Sequence, residues 1–218
     1  YLDYSRSFSL IKSQDIRNRL ETYYDSGQIQ AEGEFCPEPL IQINPHYVTE
    51  TTVPKLVSDG LLHPKCMDIF KLSSSPMKLY SHQSTAISVA RDNRDYVVTT
   101  GTGSGKSLSF FIPIVDRILK EKETDHTPRT RAVIIYPMNA LANSQFTELE
   151  KFSRNSSGAF TFSIYTGQEN ESLRRKVAEN PPDILLTNFM MMELLLTRHN
   201  ENDSRVIDHC TGLEFLVL

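Results

Sequence analysis

The sequence predicts an α/β fold: a mostly parallel β-sheet covered by helices, preceded by a smaller helical and irregular N-terminal segment. Three observations predict it. From residue 77 onward, short apolar runs alternate with helical patterns, the texture of repeated βαβ units. The apolar runs are nearly uninterrupted, as suits central parallel strands buried on both faces. One glycine-rich turn, TGTGSGKS at 100–107, falls between an apolar run and a helical pattern.

The elements follow in order. SQDIRNRLETYYDS (13–26) reads as a helix, with Ser13 as N-cap and Ile16, Leu20 and Tyr23 on one face. Residues 27–60 are less regular, with a proline-rich CPEPLIQINPHYV, and KLSSSP (71–76) reads as a linker. The spacing then predicts a helix over 81–92, a strand over 95–100, the glycine turn, and a helix to about residue 120. Strand 132–136, helix 139–152, strand 160–165, helix 171–179, strand 183–187 and helix 190–198 complete the alternation, and the sequence closes on the apolar LEFLVL. The expected division is an accessory segment, 1–76, and an α/β domain, 77–218.

Composition excludes several classes. The 218 residues carry a net charge of -4, so binding to nucleic acid by bulk positive charge is ruled out and any such site must be local. No run of 18 apolar residues is present, and YLDYSRSFSL lacks the plan of a signal peptide. Three cysteines, far apart and odd in number, do not suggest a disulfide framework, so a reducing, cytoplasmic setting is expected. His63 and Cys66 in HPKC are two metal-type ligands without a second pair.

The glycine turn has the chemistry of a phosphate cradle. Backbone N–H groups at the start of a helix can face anionic oxygens, and glycines 101, 103 and 105 allow the chain to turn and approach closely. Thr102, Gly103, Ser104 and Gly105 supply the backbone, Lys106 a charge for β- and γ-phosphates, and Ser107 a hydroxyl for Mg2+. Thr100 stands where the strict G-x-x-x-x-G-K-[ST] pattern has its first glycine, so this is a variant loop.

Taken with LYSHQSTAI, IIYPMNALANSQ, YTGQ and DILLTNFMMMELLL, the loop resembles the first RecA-like domain of superfamily 2 DExH/DEAD-box helicases over residues 77–218. The resemblance implies ATP and Mg2+ as ligands. It implies that Gln83, whose amide can donate and accept, reads the adenine edge with Tyr80 packed nearby. It implies nucleic-acid backbone contacts from Pro137, Asn139, Ala140 and Gln145 after one strand, Gly167 after the next, and Thr187 and Asn188 after a third. Met190, Met191 and Met192 read as packing residues.

In the resembled family, the strand LEFLVL leads into the DExH motif, so the motif's carboxylates and an arginine-bearing second RecA-like domain are expected outside these 218 residues. No catalytic residue is therefore assigned among them, and Asp183 and Asp208 are poorly placed substitutes. Loss of an arginine finger alone costs roughly 10³- to 10⁵-fold in rate. The expected partners are nucleic acid, DNA in the first instance, and the second RecA-like domain. Within the first 70 residues, YLDYSRSFSL and EPLIQINPHYV resemble the segment preceding the core in large bacterial repair helicases and in anti-phage defence helicases of the Druantia and DISARM kind, so repair or defence subunits join the expected partners, with no membrane. The alternative class is a non-catalytic nucleotide-binding interaction module.

Overall fold

The structure, a computed structural model, describes residues 11–25, 47–72 and 75–218. YLDYSRSFSL and all but the last two residues of CPEPLIQINPHYV lie outside the described residues. Two compact units divide the chain, 1–46 and 47–218. The expected boundary at residue 76 therefore moves. In the first unit, helix α1 (Gln14–Asp25) forms where the apolar spacing predicts it, with Ile16 exposed.

The second unit begins with strand β1 (Thr49–Thr52), whose last residue caps helix α2 (Val53–Ser58) by accepting from the Lys55 N–H. Pro54 sits in the first turn of α2, where its missing N–H costs nothing. After helix α3 (Cys66–Ile69), the stretch read as a linker forms a small antiparallel pair, β2 (Lys71–Leu72) with β3 (Ser75–Pro76). Strand β4 (Lys78–Tyr80) pairs antiparallel with β1 and leads into helix α4 (Ser81–Arg91). Residues 47–76 belong with the α/β domain because their side chains build its core. Val53, Leu56, Cys66, Ile69 and Phe70 are buried in one cluster with Phe111, Ile114 and Leu149.

The main sheet holds β5 (Ala132–Tyr136), β6 (Phe162–Tyr165), β7 (Ile184–Asn188) and β8 (Phe215–Val217) in the order β6-β7-β5-β8, with every pairing parallel. The uninterrupted apolar runs AVIIY and ILLTN fill its centre, buried on both faces as predicted. On one face Ala132, Ile134, Ile184 and Leu186 meet α5 (Leu108–Glu121) and α6 (Asn139–Asn155). On the other, Val133 and Leu185 meet α7 (Glu171–Glu179) and α8 (Phe189–Thr197), both expected, and α9 (Glu201–Asp208), the one helix of the three that the apolar pattern had not shown.

One expected strand is absent from the sheet. Residues 95–100 form no ladder, and Val97 is 87% exposed. A ladder needs a neighbour about 4.8 Å away. Between Asp95–Val98 and Phe215–Leu218 there lies instead a cleft of about 830 Å³. Tyr96 ties this run to α5. Pro113 lies inside α5 and has no N–H to offer the carbonyl of Ser109, four residues earlier. The Tyr96 hydroxyl takes that place, donating to the Ser109 carbonyl at 2.7 Å.

Candidate nucleotide site and nucleic-acid interface

The glycine loop runs from residue 101 into α5, held from two sides. Gly103 and Gly105 have φ of +75° and +68°, the left-handed region that side-chain-bearing residues avoid. A Cβ at Gly105 would also lie 2.8 Å from Gln83 Nε2. That contact is a hydrogen bond in the making of the loop: Gln83 Nε2 donates to the Gly105 carbonyl at 2.8 Å, while Gln83 Oε1 accepts from the Tyr80 N–H at 2.8 Å. Gln83 is only 1% exposed, and both ends of its amide are engaged in joining the start of α4 to the loop. The resemblance implies a base-edge role for Gln83; in the structure its amide holds the Gly105 carbonyl and the Tyr80 N–H.

Tyr80 lies beside two aromatic side chains that the sequence did not single out. His82 stacks on it with ring centroids 5.8 Å apart, and Tyr47 sits 5.5 Å away. His82 Nε2 also contacts the Ser104 carbonyl at 3.0 Å, and the Tyr47 hydroxyl closes over Gly101. His82 was legible, since it adjoins Gln83; Tyr47 carries no motif.

Within the loop, Ser104 is fully buried and its hydroxyl meets Thr100 Oγ1 at 2.6 Å. The threonine that departs from the strict pattern thus closes the loop through its side chain. Lys106 Nζ donates to the Thr100 and Gly101 carbonyls at 2.9 and 2.8 Å, which holds the ammonium against the loop's first residues. Thr102, Gly103 and Gly105 are exposed. The half-buried Ser107 donates its hydroxyl proton to Gln145 Oε1 at 2.7 Å. A hydroxyl that spends its proton keeps both lone pairs, and a hard oxygen of this kind suits Mg2+, which takes one or two protein ligands beside phosphate oxygens. The residues present fit both a triphosphate and its cation.

The second constellation lies at the C-terminal ends of the parallel strands. Tyr136 pairs with Asn188 and Tyr165 with Thr187, so the loops after β5, β6 and β7 emerge side by side. Asn188 ties all three: its Nδ2 donates to Asn139 Oδ1 and to the Thr166 carbonyl, and its Oδ1 accepts from the Met191 N–H as the N-cap of α8. Pro137, Ala140 and Gly167 are exposed around this knot. Thr187 is not, since its buried hydroxyl donates to the Tyr165 carbonyl at 2.6 Å and serves the sheet. Gln145 likewise faces the glycine loop and not this surface. Met191 is buried, while Met190 and Phe189 are each 64% exposed.

Glu169 was missed by sequence reasoning. Its carboxylate accepts from the Thr166 and Gly167 N–H groups and the Thr166 hydroxyl at 2.7 to 2.8 Å. Burial works to raise its pKa, but these hydrogen bonds win and hold the carboxyl below its ordinary value. Glu169 at the third place after Thr166 was the available signal. Asp183, weighed above as a substitute carboxylate, is 3% exposed and committed to Arg131 and Lys122. His63 and Cys66 both meet Asp116 of α5, and among the described residues no three His, Cys, Asp or Glu side chains group as metal ligands.

A variant phosphate-binding loop at the head of a helix, beside a parallel sheet whose C-terminal loops converge, defines a RecA-like domain. The chain belongs to the DEAD/DEAH box helicase family, whose model matches residues 80–218. It is similar to the Druantia protein DruE of Escherichia coli (strain UMEA 4076-1), with 29% identity over 72% of this chain and 10% of that protein. An uncharacterized ATP-dependent helicase of Methanocaldococcus jannaschii, MJ1574, is 33% identical over 57% of this chain and 18% of its own length. The chain thus spans less than a fifth of either relative. Among solved structures, the DUF1998 helicase MrfA bound to DNA superposes with a TM-score of 0.64 at 21% identity, over 81% of this chain and 21% of that one. The Mycobacterium smegmatis helicase Lhr bound to ssDNA and AMP-PNP gives 0.57 at 21% identity, over 71% and 19%. Both likenesses bear on the fold.

Proposed function

We propose that this chain is the ATP-binding first RecA-like portion of a superfamily 2 helicase or translocase acting on DNA, in repair or anti-phage defence. The observation that carries it is the pairing of two sites on one helix. At its start, α6 offers Asn139 to the three-loop knot; two turns on, it offers Gln145 to Ser107 of the glycine loop. A helix fixed at both points moves as one body, which is what a motor needs between nucleotide and track.

In this reading, the amides of 102–105 and the Lys106 ammonium hold the triphosphate, Tyr80 borders the base, and Ser107 would hold Mg2+. When bound, the cation neutralises charge on the phosphates. The amides and asparagines around Pro137, Asn139, Ala140, Gly167 and Asn188 would hold successive backbone phosphates without reading sequence. A positive balance is not needed for this, because helix N-termini supply the field. The second RecA-like domain completes hydrolysis, and the setting is cytoplasmic. Among the described residues, no helix is long and apolar enough to cross a membrane. MrfA and Lhr were solved bound to DNA and the DEAD-box helicase Mss116 bound to ssRNA, so DNA is the first nucleic acid to test and RNA the second.

The test is binding of labelled single-stranded DNA with and without AMP-PNP, across a range of salt. The reading expects binding that weakens with salt, as a few phosphate contacts require, and an affinity that changes with nucleotide. Binding indifferent to nucleotide, with ATP still bound, would favour the non-catalytic module.

A further inference from the structure

Gln145 is half-buried on α6. Ala142 and Leu149, both fully buried, lie three residues before and four after it, so all three share the core-facing stripe of α6. Gln145 itself sits at the edge of that stripe and borders the cleft, where its amide can meet a side chain or water. Its partner is the Ser107 hydroxyl, at 2.7 Å, across 38 residues of sequence. Gln145, Ser107 and Lys106 line the same cleft.

A serine hydroxyl has one proton and two lone pairs, and it rotates to suit its neighbours. Where the proton goes decides where the lone pairs point. With the proton directed at Gln145 Oε1, the lone pairs face away from α6. We infer that Gln145 is a positioning residue of the nucleotide site: it fixes the Ser107 hydroxyl with its lone pairs turned to the divalent cation that accompanies the nucleotide phosphates. This rests on the nucleotide reading given above and reassigns Gln145 from the nucleic-acid surface. It also makes the cation's ligand sensitive to the seating of α6, the helix whose first residue meets Asn188.

The readout is the factor by which Mg2+ raises affinity for a fluorescent ADP, measured as the ratio of equilibrium binding in Mg2+ and in EDTA. Gln145→Leu keeps a helix-forming side chain on the stripe but removes the acceptor. Gln145→Glu can only accept, so it preserves the orientation. The expected result is a Mg2+ factor lower by roughly three- to tenfold in the leucine variant, the worth of one hydrogen bond, and restored by glutamate. Ser107→Ala should lower the factor as well, and adding Gln145→Leu to it should lower it no further, because the two act as a unit. An unchanged factor in Gln145→Leu overturns the inference, as does additive loss in the double variant. Should the leucine variant fail to fold by circular dichroism, Gln145→Ala, which also removes the acceptor, takes its place alone and with Ser107→Ala under the same rule. Absence of any ADP binding by the unmodified protein would overturn the nucleotide reading and this inference with it, whereas an intact Mg2+ factor across the variants would overturn this inference alone.

Discussion

The Asn188 side-chain amide donates to Asn139 Oδ1 across 49 residues of sequence, joining the loop after β7 to the loop after β5. The same amide reaches the Thr166 carbonyl at 3.2 Å, so one side chain registers three loops at the end of the sheet. Two single substitutions should separate its roles. Asn188→Ala removes both the N-cap of α8 and the tie, and should cost about 2 kcal/mol in urea denaturation. Asn139→Ala removes only one end of the tie and should cost below about 1 kcal/mol. Both should weaken single-stranded DNA binding; equal stability losses would contradict the division.

Tyr96 holds the run before the glycine loop to α5 at the carbonyl that Pro113 leaves unpartnered. Burial pushes its phenol up to about 12, so it remains a donor through the neutral range. Tyr96→Phe should cost about 1 to 3 kcal/mol, the penalty for a stranded carbonyl. Pro113→Ala alongside it should recover part of that loss by giving Ser109 a backbone donor. A neutral Tyr96→Phe in thermal unfolding would show that the tie is idle.

Arg131 and Asp183 form a nearly fully buried ion pair at 3.0 Å, with Lys122 on the other carboxylate oxygen. Thr161 adds its N–H and hydroxyl to the same carboxylate. Asp183→Ala leaves Arg131 its second partner, Glu121, but removes the acceptor shared by Arg131, Lys122 and Thr161, and should destabilise by about 1 to 3 kcal/mol. Nucleotide affinity at a temperature where the variant is folded should be unaltered. A selective loss of ATP turnover by the whole protein, without loss of stability, would restore Asp183 as a catalytic carboxylate.

Glu169 gives a pH dependence with a definite sign. Its ordinary value of 4.5 is lowered in the folded chain. Its contribution is therefore complete above about pH 4.5 and fades as the pH falls through the lowered value. The Gly167 amide, which donates to this carboxylate, should exchange faster in that acid window, and Glu169→Gln should remove the dependence. Hydrogen exchange of Gly167 that shows no acid limb would refute the assignment.

Gln83→Ala should loosen the glycine loop whatever base the nucleotide carries, since Gln83 Nε2 grips the Gly105 carbonyl. ATP, GTP and tripolyphosphate should all bind more weakly, by roughly three- to tenfold for one lost hydrogen bond. Any further loss confined to ATP measures what Gln83 contributes to the base. Undiminished tripolyphosphate binding would contradict the loop role.

Much of the fold was legible because its signals are local. AVIIY and DILLT read as strands buried on both faces and formed them, and the glycine loop between 100 and 107 carries its own chemistry. What was not legible depends on pairing. The run 95–100 has strand composition, yet ladder formation requires a neighbour that composition cannot supply. KLSSSP looked like a linker because two-residue strands leave no periodicity. At the site, residue types were readable but side-chain directions were not. Gln83 and Gln145 stand in the right motifs, while their amides face the glycine loop, and Thr187 turns inward to Tyr165. Tyr47 and Glu169 act through tertiary contact and turn geometry, which no spacing announces.

The most direct test of the account is calorimetric titration of ADP with Mg2+ into the protein and its Lys106→Ala variant, with circular dichroism as the check on folding. The account predicts saturable binding at one site, lost in a variant that remains folded. Binding of equal strength in the variant, or none in the unmodified protein, would contradict it.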